Sequence, residues 1–317
     1  MVAMRRILLN PGILLFAILY VISFGWLSRN QAFGMVEALF ELALFGVVFP
    51  LMAWFATGRA KPLEVAAARS GYEVVLVLAL LIALGVYLIG GPQAIDALLP
   101  RGWVDSPQAH FVVTLLKKLV VFVLLPYAVF RILFGYKWRD FGLQMAGLRE
   151  LAGSHLFVVL LLCAAILAFQ FFLGGAAAPL REGKLHPQQL LIGLPLCFVW
   201  LAVEAGLVEE FFFRAIVQSR LAAWLKSEIS GVALMALVFG LAHAPGFIFR
   251  RAAEVEGLGA NPSALDAIAY SIVILAPGAI VFGIVWARTK NLFALMIIHA
   301  AGDLLPNVAG FVQLFKI

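Results

Sequence analysis

Apolar residues run through this chain in long blocks, separated by short clusters rich in Arg, Lys, Gly and Pro. A run of about 18 or more mainly apolar residues can cross a hydrocarbon core of roughly 30 Å as a helix. Nine such segments can be marked, over residues 11–27, 35–56, 74–91, 111–134, 156–173, 190–208 with a continuation beyond it, 232–249, 268–286 and 292–312. The long two-residue alternation of outer-membrane barrel strands is missing from the sequence. The pattern predicts an all-α fold, a polytopic transmembrane helical bundle of about eight to nine spans.

Composition strengthens this reading. Of the 317 residues, 64% are hydrophobic and only 13% charged, with a mean hydropathy of +1.04, far outside the range of soluble globular domains. The net charge of +6 calls for no nucleic-acid partner, because basic residues in a membrane protein first report topology. With the N-terminus in the cytoplasm, Arg5, Arg6, Arg59, Lys61, Arg69, Lys137, Arg139, Arg149, Arg220, Lys226, Arg288 and Lys290 fall inside. Arg29, Arg101, Arg181, Lys184, Arg250, Arg251 and Lys316 fall outside, so the bias favours an N-in, C-out arrangement. The first span has a basic start, but no A-x-A-like site follows it before the second, which predicts a retained anchor. Cys163 and Cys197 have no metal or redox spacing and read as packed thiols.

The chain divides at the sequence level into an accessory N-terminal transmembrane region, 1–150, and a second half, 151–317, that holds the acid and histidine candidates. Residues 135–150 alternate aromatic and basic with apolar positions, as suits a cytoplasmic interfacial segment. Glu37 and Glu41 open the second span, and Lys117 and Lys118 interrupt the fourth. They read as snorkelling or bundle-facing structural charges. Pro195, Pro245, Pro277 and Pro306 lie in or beside C-terminal spans, where they can kink helices.

Six ionisable residues stand within apolar stretches of that second half: Glu209, Glu210, Arg214, His243, His299 and Asp303. A charge near the bilayer centre costs roughly 2.5 to 3.5 kcal/mol, so Glu209, Glu210 and Arg214 together would cost about 8 kcal/mol if unpaired. Glu210 and Arg214 are four apart in the favourable order and should pair. Glu209 then points about 100° away, free to handle a proton or a metal. His299 and Asp303 are also four apart and can act as an oriented histidine or as two metal ligands. Taken alone, Glu209, Glu210 and Arg214 read equally well as a cluster snorkelling into headgroups, and His299 and Asp303 as a self-satisfied polar pair, while a lone His243 reads more readily as a bundle-facing hydrogen-bonding residue. Together they are the inventory for activating a water and stabilising an oxyanion.

The strings Glu209-Glu210-x-x-x-Arg214, Phe239-x-x-x-His243 and His299-x-x-x-Asp303 resemble the three ordered motifs of the CPBP family of intramembrane proteases. That family contains type II CAAX prenyl endopeptidases and bacterial relatives linked to bacteriocin processing and immunity. The resemblance covers roughly residues 190 to 310 and marks 151–317 as a CPBP-like catalytic core. It implies a CAAX endopeptidase-like activity on a membrane-anchored or lipid-modified protein or peptide, in the bilayer of a bacterial inner membrane. By it, Glu209 is the general base on the attacking water, and His243 binds or polarises that water. Glu210 and Arg214 hold the site in shape, while His299 and Asp303 face the oxyanion. Asn is usual at the last position, and an ionised Asp303 cannot donate to an oxyanion, so it must be protonated, orient His299 or bind a metal.

The resemblance favours a glutamate mechanism with no cofactor. The alternative is a zinc held by His243, His299, Asp303 and Glu209, although no H-E-x-x-H helix is present. A non-catalytic membrane binding or bacteriocin-immunity-type protein is the second functional reading. A proton- or ion-coupled transporter is the third, without the repeat symmetry expected of one. Depth poses a geometric question. Counted from residue 190, Glu209 lies about 29 Å along its helix, whereas His243 lies about 17 Å into a helix entering from the other side.

Overall fold

The computed structural model describes residues 9–29, 33–66, 68, 71–249, 258 and 262–317. Arg5, Arg6, Arg69, Arg250 and Arg251, used above to orient the chain, lie outside the described residues. Among the described residues the longer helices in chain order are α1 (Pro11–Leu27), α2 (Met35–Arg59), α3 (Tyr72–Asp96), α4 (Pro107–Phe134), α5 (Met145–Leu151), α6 (Leu156–Phe172), α7 (Pro187–Trp224), α8 (Glu228–Phe249), α9 (Ala264–Thr289) and α10 (Leu292–Phe315). Seven of these, α2, α3, α4, α7, α8, α9 and α10, are long and apolar enough to cross a membrane. The pair α5 and α6, bent by 66°, makes an eighth if counted as one span, and α1 is shorter. Among the described residues there is no strand. The all-α polytopic expectation holds. Along α3, Val75, Leu78, Ile82, Val86 and Ile89 are exposed at three- and four-residue steps, an apolar outer stripe suited to lipid.

Among the described residues, five helical turns widen to i→i+5 bonding: Leu44–Val48, Leu119–Leu124, Ala202–Leu207, Phe211–Gln218 and Ser271–Leu275. Three of them end two residues before a proline, at Pro50, Pro126 and Pro277. A helical proline lacks an N–H and its ring presses on the carbonyl four residues earlier, which in each case lies inside the widened turn. The two on α7 precede no proline. They enclose the single α-helical turn Val208–Glu210 from both sides.

The chain forms two compact units that do not follow sequence order, and each half of the sequence contributes to both. The first comprises 1–55, 67–91 and 216–288, the second 56–66, 92–215 and 289–317. In the first unit α1 packs on α8 and on the start of α9. Gly12 meets the Ser230 backbone so closely that an added Cβ would lie 2.7 Å from its Cα. Trp26 donates to Asp266 at 2.9 Å. Arg220 is buried, and its Nε donates to Glu73 at 3.1 Å. This corrects its reading as a basic loop residue: α7 continues to Trp224, which carries Arg220 into the packed interior.

In the second unit α10 packs against the first half of α7, α6 and α5. Pro306 leaves the Gly302 carbonyl without its helical N–H. The Gln170 side-chain amide on α6 donates to that carbonyl instead. Asn291 caps α10 by accepting from Phe293 and Ala294, which fixes its amide so that Nδ2 donates to Gly147 O and His155 Nδ1. His155 is therefore protonated on Nε2, which meets Lys61 O at 2.7 Å. The interfacial expectation for 135–150 also changes. Tyr136 and Phe141 are fully buried, and Trp138 stacks on Tyr127 at 3.6 Å and leans on Phe211. Large aromatic rings gain more by joining this cluster than by lying at a headgroup surface. Lys117 is bundle-facing and paired with Asp96 at 2.7 Å, and Lys118 is paired with Glu204. Both cysteines are free thiols, Cys197 buried.

Candidate active site

Five of the six candidates, Glu209, Glu210, Arg214, His299 and Asp303, fall in the second unit on two helices, α7 and α10. The helices approach at Gly206, where an added Cβ would lie 2.7 Å from Met296 O. Only the absence of a side chain lets the α7 backbone come this near, one turn before the acids and one turn before His299. Here glycine sets the geometry.

Glu210 and Arg214 are both fully buried, with Arg214 Nε 3.2 Å from Glu210 Oε2. The expected pair is present, but it is not closed. Glu210 Oε1 also lies 2.6 Å from His299 Nδ1. A carboxylate held ionised by an arginine can only accept, so Nδ1 carries the proton and the ring is oriented. His299 Nε2 then points at two further acids, Asp303 Oδ2 at 3.5 Å and Glu209 Oε2 at 3.8 Å. The sequence treats His299 and Asp303 as a separate third element. In the fold, His299 joins all the pieces of this unit.

Glu209 keeps 15% of its side-chain surface exposed while its neighbour Glu210 has none. Asp303 is more open, at 39%. The adjacent glutamates thus differ in kind: one is a buried anchor, the other is partly open. His243 belongs to the first unit. It is partly buried, its Nδ1 lies 2.9 Å from Phe239 O, and its ring packs on Phe239 with centroids 4.8 Å apart. A carbonyl only accepts, so Nδ1 carries a proton and the ring is oriented by its own helix. The motif spacing Phe239-x-x-x-His243 thus has a structural meaning, one residue holding the next turn's imidazole by its backbone.

Among the described residues no group of three or more His, Cys, Asp and Glu side chains could hold a metal ion. Nδ1 of His299, one of the four proposed zinc ligands, is occupied by Glu210.

Residues 191–305 match the Rce1-like family model, described as type II CAAX prenyl endopeptidase Rce1-like. Over this segment the chain is similar to the CPBP family, and the match supports the resemblance carried by the three motifs. The match covers just over a third of the chain and includes all six candidates. No curated protein and no solved structure matches the chain. The family is one of CAAX-type intramembrane endopeptidases, which agrees with the membrane-spanning helices and points to a membrane-associated substrate. Sequence reading passed over Glu204, although an acid five residues before Glu209 in the same apolar run was visible. It also passed over the His155–Asn291 lock, whose partners are far apart along the chain and give no periodic signal.

Proposed function

We propose that this protein is an intramembrane endopeptidase that hydrolyses a peptide bond of a membrane-anchored or lipid-modified protein, with Glu209 as the general base. The observation that carries the reading is the asymmetry around His299. Glu210, locked between Arg214 and His299 Nδ1, is unavailable for proton transfer, while Glu209 lies beside Nε2 and is partly exposed.

In the proposed reaction Glu209 removes a proton from water as the oxygen adds to the scissile carbonyl carbon. The resulting oxyanion is stabilised by N–H donation from His299 Nε2 when that ring carries both protons. Collapse breaks the C–N bond, and Glu209 passes its proton to the departing amine. Asp303 supports His299 and does not itself donate to the oxyanion. The reading uses no metal and places the enzyme in a bacterial inner membrane with its N-terminus in the cytoplasm.

The test is Glu209→Gln, which is similar in size and cannot act as a base. Expected is a protein that folds as the wild type does and whose kcat/KM on a prenylated CAAX peptide falls at least about 100-fold. Cleavage at near the wild-type rate overturns the assignment. Wild-type cleavage that persists in the presence of a strong chelator supports the metal-free form.

A further inference from the structure

The matched segment begins at residue 191, yet a charged side chain from well before it faces the same acids. Lys118, on α4, forms an ion pair with Glu204 on α7, with 30% and 19% of their side-chain surfaces exposed. Glu204 lies in the widened turn Ala202–Leu207, five residues before Glu209. In a regular α-helix residues five apart differ by about 140°, but i→i+5 bonding brings them toward a common face. Glu209 and Asp303 also act on Lys118 electrostatically, together with Glu204.

We propose that Lys118 is a positioning residue for the site: held by Glu204, its ammonium is the counter-charge that lets this chain carry Asp303 and keeps Glu209 a working base. The functional part of this statement rests on the endopeptidase reading above.

The charges support it. With His299 carrying both protons, as the proposed reaction requires, the second unit holds four carboxylates here, Glu204, Glu209, Glu210 and Asp303, against Arg214, Lys118 and His299. One negative charge is left over, so one proton taken up by Glu209 brings the cluster to neutrality. Without Lys118 two would be left over, and the carboxylates would repel one another with no cation beside Glu204. The other titratable groups of this unit nearby are Lys117, engaged by Asp96, and the buried Cys197, which feels Asp303. The widened turn at Ala202–Leu207, unexplained by any proline, gains a reason: it turns Glu204 toward the acids that Lys118 must balance.

The experiment compares Lys118→Met, Lys118→Arg and Lys118→Met/Asp303→Asn with the wild type. Removing a cation from beside a group of carboxylates favours their protonated forms, so the acidic limb of kcat/KM against pH moves upward. Expected for Lys118→Met is a shift of about one pH unit, a tenfold loss on that limb. Lys118→Arg keeps the limb in place, and adding Asp303→Asn to Lys118→Met returns it, read on whatever rate remains. A loss equal at all pH values, or a limb that Asp303→Asn does not move back, overturns the proposal. Thermal unfolding in detergent gives an arm independent of turnover. Lys118→Met lowers Tm, and Asp303→Asn restores part of the loss in that background while restoring none in the wild type. Additive Tm changes sink the Lys118 assignment. If the wild type cleaves no CAAX peptide, the endopeptidase reading fails and the Tm coupling still decides Lys118.

Discussion

Glu210 divides its two oxygens between Arg214 and His299, and the division gives Arg214 a sharper role than neutralisation. Removing one partner of a buried ion pair leaves an uncompensated charge, which typically costs about 3 to 5 kcal/mol. Arg214→Met is therefore expected to lower unfolding stability by that amount, measured in denaturant titrations of the detergent-solubilised protein. Glu210→Gln/Arg214→Met should recover most of the stability and little of the activity, because the acceptor at His299 Nδ1 becomes a neutral amide oxygen that no longer stabilises the doubly protonated ring. Stability within 1 kcal/mol of wild type for Arg214→Met contradicts this account. The residue pattern made part of this readable: a Glu-to-Arg step of four predicts a pair on any helix. The link from Glu210 to His299 was not readable, since 89 residues separate them and only packing brings them together.

At the scale of elements, the meeting of α7 and α10 at Gly206 sets how far Glu209 stands from His299. Ordinary contact needs 3.4–4 Å, and a Cβ at this position would have 2.7 Å from Met296 O. Gly206→Ala must push the two backbones apart by about 1 Å, and a misplacement of that size can cost about 100-fold in rate. The expected result is a helical, folded protein by circular dichroism with kcat/KM reduced about 100-fold. A variant with full activity shows that the close approach is dispensable. The helices were legible because membrane spans need long apolar runs, and all nine marked segments are helical. Their internal irregularities were legible only where a proline announces them, as at Pro50, Pro126 and Pro277. The widened turns around Val208–Glu210 carry no such marker. The depth question arose from counting Glu209 from the start of its helix. With 38 residues, about 57 Å, α7 greatly exceeds a hydrocarbon core of roughly 30 Å, so its first residue does not mark a bilayer surface.

For the whole molecule, both compact units draw on residues before 151: the first on α1, α2 and part of α3, the second on α4 and α5. A fragment of residues 151–317 therefore lacks Glu73 for the buried Arg220 and Lys118 for Glu204. Expressed alone it should aggregate on extraction, and co-expression with residues 1–150 should return soluble, monodisperse protein by size-exclusion chromatography. A well-behaved fragment 151–317 would instead make residues 1–150 a separable accessory region. The charge-based reading of orientation loses one of its basic residues, Arg220, to the interior, which the sequence could not signal because a loop arginine and a buried one look alike.

The distance along the chain between Glu210 and His299 also has a consequence for biosynthesis. At about 5 to 20 residues per second, the 89 residues between them take roughly 4 to 18 s to emerge from the ribosome. During that interval α7 must enter the lipid without α10. Arg214, one turn from Glu210, is made a fraction of a second later and can neutralise it at once. The local pair thus acts as a built-in chaperone for the insertion of its own helix, and His299 inherits a carboxylate already held in place.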